Sequence, residues 1–226
     1  MTPRAAMLLP LACIAVPAAA QTPRDMLVHA AYEDRSGPVA VARIDRARTA
    51  ALATCARMPD DQDAHVVAAI ALAYRAKLTG NRSEAIAARK GLEAVAARFP
   101  RNPEAHLALG AWHVGVVNKV GRILARAGAG AQIGVGYAAL DRAVALGGSR
   151  ASISAMAGMI RLEQNAADAR GRALVDAATR GATTTPLDRI NQRAASAVAA
   201  AIRRGDGKAV SALSDRMLPF GWFKKG

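Results

Sequence analysis

Cysteine is nearly absent from this chain: among 226 residues only Cys13 and Cys55 occur. Cys13 lies in an N-terminal stretch that reads as removable, so no intramolecular disulfide is available and the fold has to rest on its hydrophobic core. Long apolar runs are missing too. The stretch from Ala5 to Val16 is shorter than the roughly 20 residues a membrane-spanning helix needs, and no later one approaches that length. Acidic residues are outnumbered, 17 against 31 Lys and Arg, for a formal net charge of +14. Such a balance attracts polyanions, yet the cations are spread along the chain rather than gathered in a dense patch, the pattern of a solvated surface. No serine, cysteine or carboxylate sits in a nucleophile or acid–base motif. Asp60, Asp61 and Asp63 fall at a helix start, where the helix dipole favours acids. An enzyme is therefore not expected.

Residues 1–20 differ in kind from the rest. They carry one charge, Arg4, then the apolar run, then Pro17-Ala18-Ala19-Ala20 before Gln21, which is the layout of a secretory signal peptide cut after Ala20. Leu9-Pro10-Leu11-Ala12-Cys13 faintly resembles a lipoprotein acylation box, but Pro10 stands where that pattern has Leu, and the apolar run continues past the cysteine. Removal of Arg4 and no acid takes the charge from +14 to +13. The expected location is periplasmic or secreted, where nucleic acid is not a partner and anionic envelope surfaces are the available polyanions.

From Val39 onward apolar residues recur at helical spacing, and strand-like alternation is hard to find. Val66, Ile70, Tyr74 and Leu78 form one stripe; Leu187, Ile190, Ala194, Val198 and Ile202 form another. Caps agree with this: Asp61, Ser83, Asn102-Pro103, Ser149 and Thr185-Pro186 suit helix starts, with a capping-box spacing from Thr185 to Asp188, and Gly80, Gly147 and Gly181 suit helix ends. The spacing predicts nine helices, at 39–57, 62–78, 83–98, 103–126, 135–146, 150–164, 167–180, 186–204 and 207–217. Residues 21–38 read as a leader of weak helical character and 218–226 as a tail. The caps that open successive pairs, Asp61, Asn102, Ser149 and Thr185, lie 41, 47 and 36 residues apart, within the roughly 34 to 47 residues of helix-pair repeats. An all-α helical-hairpin array over 39–217 is the expected domain.

Pro100-Arg101-Asn102-Pro103 followed by His106, Leu109, Gly110, Trp112 and His113 resembles the junction between two tetratricopeptide repeats. Downstream, Leu140, Ala143 and Leu146 match the second-helix pattern, with Gly136 in place of a small alanine. The resemblance implies a tetratricopeptide-like α-solenoid in which Gly110 lets the paired helix approach closely and the larger residues fill the space between helices. Gly110 and Gly136 are 26 residues apart where a regular repeat has about 12, so this pair carries an insertion. With that insertion the segment is similar to the regulator of microtubule dynamics-type repeat proteins and their bacterial relatives, which implies a fold and an interaction role.

His106 and His113, seven apart on one helix face, are too few for a metal site that wants three protein ligands. His29 and His65 show no ligand spacing to them, so packing is the expected role. The glycines at 128, 130, 134 and 136 follow a helix rather than a strand, which argues against a nucleotide cradle. They suit a surface loop or, with Arg122 and Arg126 beside it, a lid. Cys55, in an alanine-rich stretch, is expected to be buried. The tail Pro219-Phe220-Gly221-Trp222-Phe223-Lys224-Lys225 either caps the apolar face of the last repeat or meets a membrane or partner. The leading expectation is an exported, non-catalytic module that binds a protein or peptide partner on a groove near His106, Trp112, His113, Arg122 and Arg126. The alternative is a small-ligand carrier of an envelope uptake system. Neither calls for a cofactor or metal.

Overall fold

The protein is described by a computed structural model over residues 21–223. The signal-peptide expectation for 1–20 and the final lysines lie outside the described residues. Eleven helices are found there: α1 (Pro23–Tyr32), α2 (Gly37–Arg57), α3 (Gln62–Thr79), α4 (Arg82–Arg98), α5 (Pro103–Val120), α6 (Arg122–Ala129), α7 (Ile133–Gly147), α8 (Ala151–Gln164), α9 (Ala169–Thr179), α10 (Pro186–Arg203) and α11 (Gly207–Met217). Among the described residues there is no strand, only an isolated bridge between Arg150 and Ala182. No described helix is long and apolar enough to cross a membrane.

Two elements differ from the sequence expectation. The segment taken as a weak leader holds a full helix, α1, opened by a capping box in which Thr22 and Asp25 satisfy each other's backbone N–H, with proline in the first turn. Its Leu27, Ala30 and Ala31 are buried. The expected helix 103–126 breaks at Gly121, whose φ of 78° and ψ of 162° are open to glycine but not to a side chain. A separate α6 follows and ends at Gly130, also left-handed with φ 72°. Smaller shifts are local: Asn81 rather than Ser83 caps α4, and Arg150 rather than Ser149 precedes α8. Cys55 is only half-buried.

Helices near one another in sequence pack together, as α3 with α4, α5 with α7 and α8 with α9, while α2 packs on α3 as well and α10 lies against α8 and α9 more extensively than against α11. Gly110 faces Gly136 across the α5–α7 pair. A Cβ on Gly110 would stand 2.8 Å from both the Gly136 carbonyl oxygen and the Leu140 side chain. Leu140 and Ala143 are fully buried and Leu109 is partly buried in the adjoining cluster. The α8–α9 pair repeats the device, since a Cβ on Gly158 would lie 2.9 Å from the Gly171 carbonyl. Gly110→Leu should therefore force backbone apart and cost ~1–3 kcal/mol, measured by thermal denaturation; a variant as stable as the parent would reject this contact. α8 is buried from Ala151 to Leu162, with its polar residues Ser152, Ser154 and Arg161 hydrogen-bonded to Asp188, the Gly148 carbonyl and Asp141.

A second device recurs at helix starts. His65 Nε2 meets the Pro59 carbonyl at 2.8 Å and His106 Nε2 the Pro100 carbonyl at 3.0 Å. Ser154 donates to Gly148 O at 2.8 Å and Arg172 to Ala166 O at 2.9 Å. In each case a residue one turn into the helix ties down a carbonyl two residues ahead of the cap, fixing the angle at which the chain enters.

α1 and the segment after α11 meet. Phe220 N–H donates to the Ala31 carbonyl at 3.0 Å, Trp222 Nε1 reaches the same oxygen at 3.3 Å, and Lys77 Nζ donates to Pro219 O at 2.7 Å. Phe220 is buried and stacks edge-on against Tyr74 of α3 at 4.9 Å. The aromatics of the tail thus pack with α1, α2 and α3, while Leu218 ahead of them is buried with α8, α10 and α11.

Candidate binding cavity

The first helices of the pairs share an inner side, where α3, α5 and α8 surround a cavity of about 820 Å³ that α1, α4, α6, α11 and the tail complete. α2, α7 and α9 contribute no wall. The inner apolar stripes of α3, α5 and α8 face across the molecule, and the second helices α4 and α11 reach the same wall through Arg82, Ala85 and Asp215. The wall is mainly hydrocarbon and aromatic, with Ile70, Tyr74, Leu107, Trp112, Met156 and Phe223 among its members, the composition of a small-molecule pocket. Asn81, Arg82, Asn118, Lys119, Val120 and Leu124 both line the cavity and are exposed, which places its mouth beside α6.

Polar groups gather at two places on this wall. Near the C-terminal end of α5, Asn118 donates to the Glu163 carboxylate, and Lys77, Lys119 and Asp215 stand on the same wall. Burial pushes the Glu163 carboxyl up, helped by the neighbouring Asp215 and opposed by Lys77 and Asn118. Lys77 is accessible because it faces the cavity, yet the helices enclose it; that desolvation pushes its ammonium down against the pull of Glu163 and Asp215. A cluster of two carboxyls, two ammonium groups and an amide on an apolar wall can hold a hydrogen-bonding head group.

The second polar group closes the far side. Arg24 of α1 pairs with Glu104 of α5 at 2.6 Å and with Asp63 of α3. Glu104 also pairs with Arg150 at 2.8 Å, and Arg150 Nε lies 3.5 Å from Asp188. This network pins α1 across the first turns of α3 and α5. A smaller space of about 310 Å³ beside it runs from Arg24 to Thr185 and Leu187 at the start of α10. Tyr32, on the other end of α1, sits beside Asn191 of α10, and its hydroxyl is pushed up to about 12 by burial.

Of the five groove residues expected from the sequence, His106, Trp112, His113, Arg122 and Arg126, only Trp112 lines the cavity. His113 is buried at 2% exposure on the other side of the helix, where Nδ1 accepts the Gln132 backbone N–H at 3.2 Å and helps start α7. Desolvation pushes its pKa down, so the ring is neutral. His106 is spent on the Pro100 carbonyl. Arg122 and Arg126 lie exposed on α6, outside the cavity lining. Among the described residues no three His, Cys, Asp or Glu side chains come together as metal ligands. Sequence reasoning missed Lys77, Glu163 and Asp215 at one end of the wall and Arg24 at the other, because each group is assembled from helices far apart in the chain; Gly115, an exposed wall position, was missed as well. No known protein family, curated protein or solved structure matches the chain.

Proposed function

We propose that this is an exported, tetratricopeptide-like helical-pair protein that binds a small, mainly apolar ligand without catalysis, as a carrier or accessory of envelope uptake. The cavity carries this reading: about 820 Å³ lies within the roughly 300–1,000 Å³ of small-molecule sites. The glycine contacts between α5 and α7 and between α8 and α9 support the repeat relationship. The ligand class that suits the wall is an amphipathic molecule, hydrocarbon over most of its length, with a carboxylate or similar head at Lys77 and Lys119.

A protein or peptide partner on the inner side was the stronger expectation from sequence. The inner side does unite the first helices of the pairs, which favours that reading, but α1 and the tail already cross it and leave a small-molecule space. The cavity reading is therefore preferred, and crosslinking in the envelope compartment addresses the other.

Gly115 provides the test. It sits on α5 with no atom within 4 Å of the Cβ position, facing the cavity. Gly115→Leu should fill space, and it should raise helix stability by up to about 1 kcal/mol, because glycine is a poor mid-helix residue. Medium-chain and long-chain fatty acids should raise the melting temperature of the parent in a saturable way and leave Gly115→Leu unmoved. A flat response of the parent at millimolar ligand would reject the cavity reading.

A further inference from the structure

Among the described residues, helix α6 is where large apolar side chains stand in solvent side by side. Ile123 is 84% exposed, Leu124 67% and the adjoining Val120 43%. They share this short segment with Arg122 and Arg126, neither of which has an acidic partner at ion-pair distance among the described residues. No aspartate or glutamate occurs anywhere from residue 105 to 140, nor in residues 1–20 or 224–226. The helix is set in place by burial of Ala125 and by a 2.9 Å bond from Arg82 Nε to the Gly128 carbonyl. The left-handed residues Gly121 and Gly130 bound it on either side.

We infer that α6 docks this protein on an anionic lipid surface, its apolar side chains seated at the headgroup boundary and its arginines on lipid phosphates. Charge selects this occupant: a cationic segment free of acids complements an anionic bilayer. Size agrees, since three side chains suit shallow interfacial insertion but fall far short of the roughly 800 Å² per partner of a stable protein interface. The C-terminal aromatics, the sequence's own candidate for a membrane contact, are instead spent on α1 and α3, where Phe220 is buried. Docking through α6 brings the cavity mouth, which Val120 and Leu124 line, against the bilayer. The inference does not require the cavity to hold a ligand: Arg122, Ile123 and Arg126 lie outside its lining, while Val120 and Leu124 stand at its rim.

Co-sedimentation of the purified full chain with phosphatidylcholine vesicles, with and without phosphatidylglycerol, tests it. The parent should bind the anionic vesicles and be weakened by salt. Ile123→Asp combined with Leu124→Asp should lower the bound fraction about tenfold with an unchanged circular dichroism spectrum, and Arg122→Glu with Arg126→Glu should remove the preference for phosphatidylglycerol. Gly115→Leu should bind vesicles as the parent does. Loss of vesicle binding in Gly115→Leu but not in the α6 variants would overturn the proposal by showing lipid uptake into the cavity alone. Undiminished binding of both α6 variants would overturn it by assigning the contact to another surface. A dimer that Ile123→Asp with Leu124→Asp dissociates would show a second copy on this face and overturn it too.

Discussion

Asp188→Ala should cost ~3–5 kcal/mol of folding stability, because it leaves a buried cluster of donors and an arginine without their acceptor. Asp188 is fully buried at the first turn of α10. Its carboxylate accepts the Ser152 hydroxyl and, at 3.2 Å, the Ser152 backbone N–H. It also accepts Thr184 Oγ1 at 3.1 Å, Thr185 N at 3.0 Å and Thr185 Oγ1 at 2.8 Å. One side chain thus caps its own helix, ties it to the start of α8 and meets Arg150, which continues through Glu104 to α1. Burial alone would raise this carboxyl, but the hydroxyls of Ser152 and Thr185, with Arg150, outweigh it and hold the pKa at about 2. The folded pKa lies below the unfolded one, so the stabilisation is complete above about pH 4 and is lost as pH falls through about 2, a difference on the order of 2 kcal/mol. Asp188→Asn should keep much of the shape, be less damaging at neutral pH than the alanine, and flatten the decline in acid. Urea unfolding at pH 7, 4 and 2.5 measures all three proteins. Equal midpoints for parent and Asp188→Ala at pH 7 would reject the assignment of this carboxylate as a keystone of the α8–α10 contact.

The capping box around Asp188 was legible in the sequence, and so was most of the helical frame, because caps and apolar spacing are local. The same signature stands at Thr22-Pro23-Arg24-Asp25 and was passed over, since the ten-residue helix it opens shows only a short apolar stripe and sits beside the export-type segment. Gly121 was passed over for the opposite reason. Apolar spacing runs on from Val120 to Leu124, and only the backbone angle at the glycine reveals the break. At Gly110 the Leu-Gly-aromatic pattern points to a small residue, and a Cβ there would stand 2.8 Å from its neighbours, while the similar contact of Gly158 against Gly171 lacks that flanking pattern. His113 fell between: its burial was expected, but its bond to Gln132 N–H could not be, because residues 128–136 carry no pattern that fixes where α7 starts. Least legible was the cavity. Its wall exists because α1 and the tail cross to the same inner side, and the bond that brings them together spans from Ala31 to Phe220.

Phe220→Ala should destabilise the fold by ~3–5 kcal/mol, the usual cost of emptying a large buried aromatic site, and should open the cavity where the tail meets α1. Phe220 is 2% exposed and belongs to the cluster formed by α1, α2 and α3. Its ring stands edge-on to Tyr74 at 4.9 Å and near Trp222 at 6.3 Å, and its N–H holds the Ala31 carbonyl. The backbone here has φ 61°, a left-handed conformation that is costly for any residue with a side chain and unusual for a bulky one. Such strain persists only where the surroundings impose it, and here the buried ring does so. The consequence is a difference between two truncations. Phe220→Gly removes the same ring but relieves the backbone, so it should be more stable than Phe220→Ala by ~1–2 kcal/mol, the reverse of the order on an ordinary extended tail. Thermal unfolding of the two variants reads this difference, and fatty-acid thermal shifts read whether the cavity still holds a ligand once the clasp is loosened. If both variants melt with the parent, the tail does not close the molecule; if alanine proves the more stable of the two, the left-handed turn at this position is not formed.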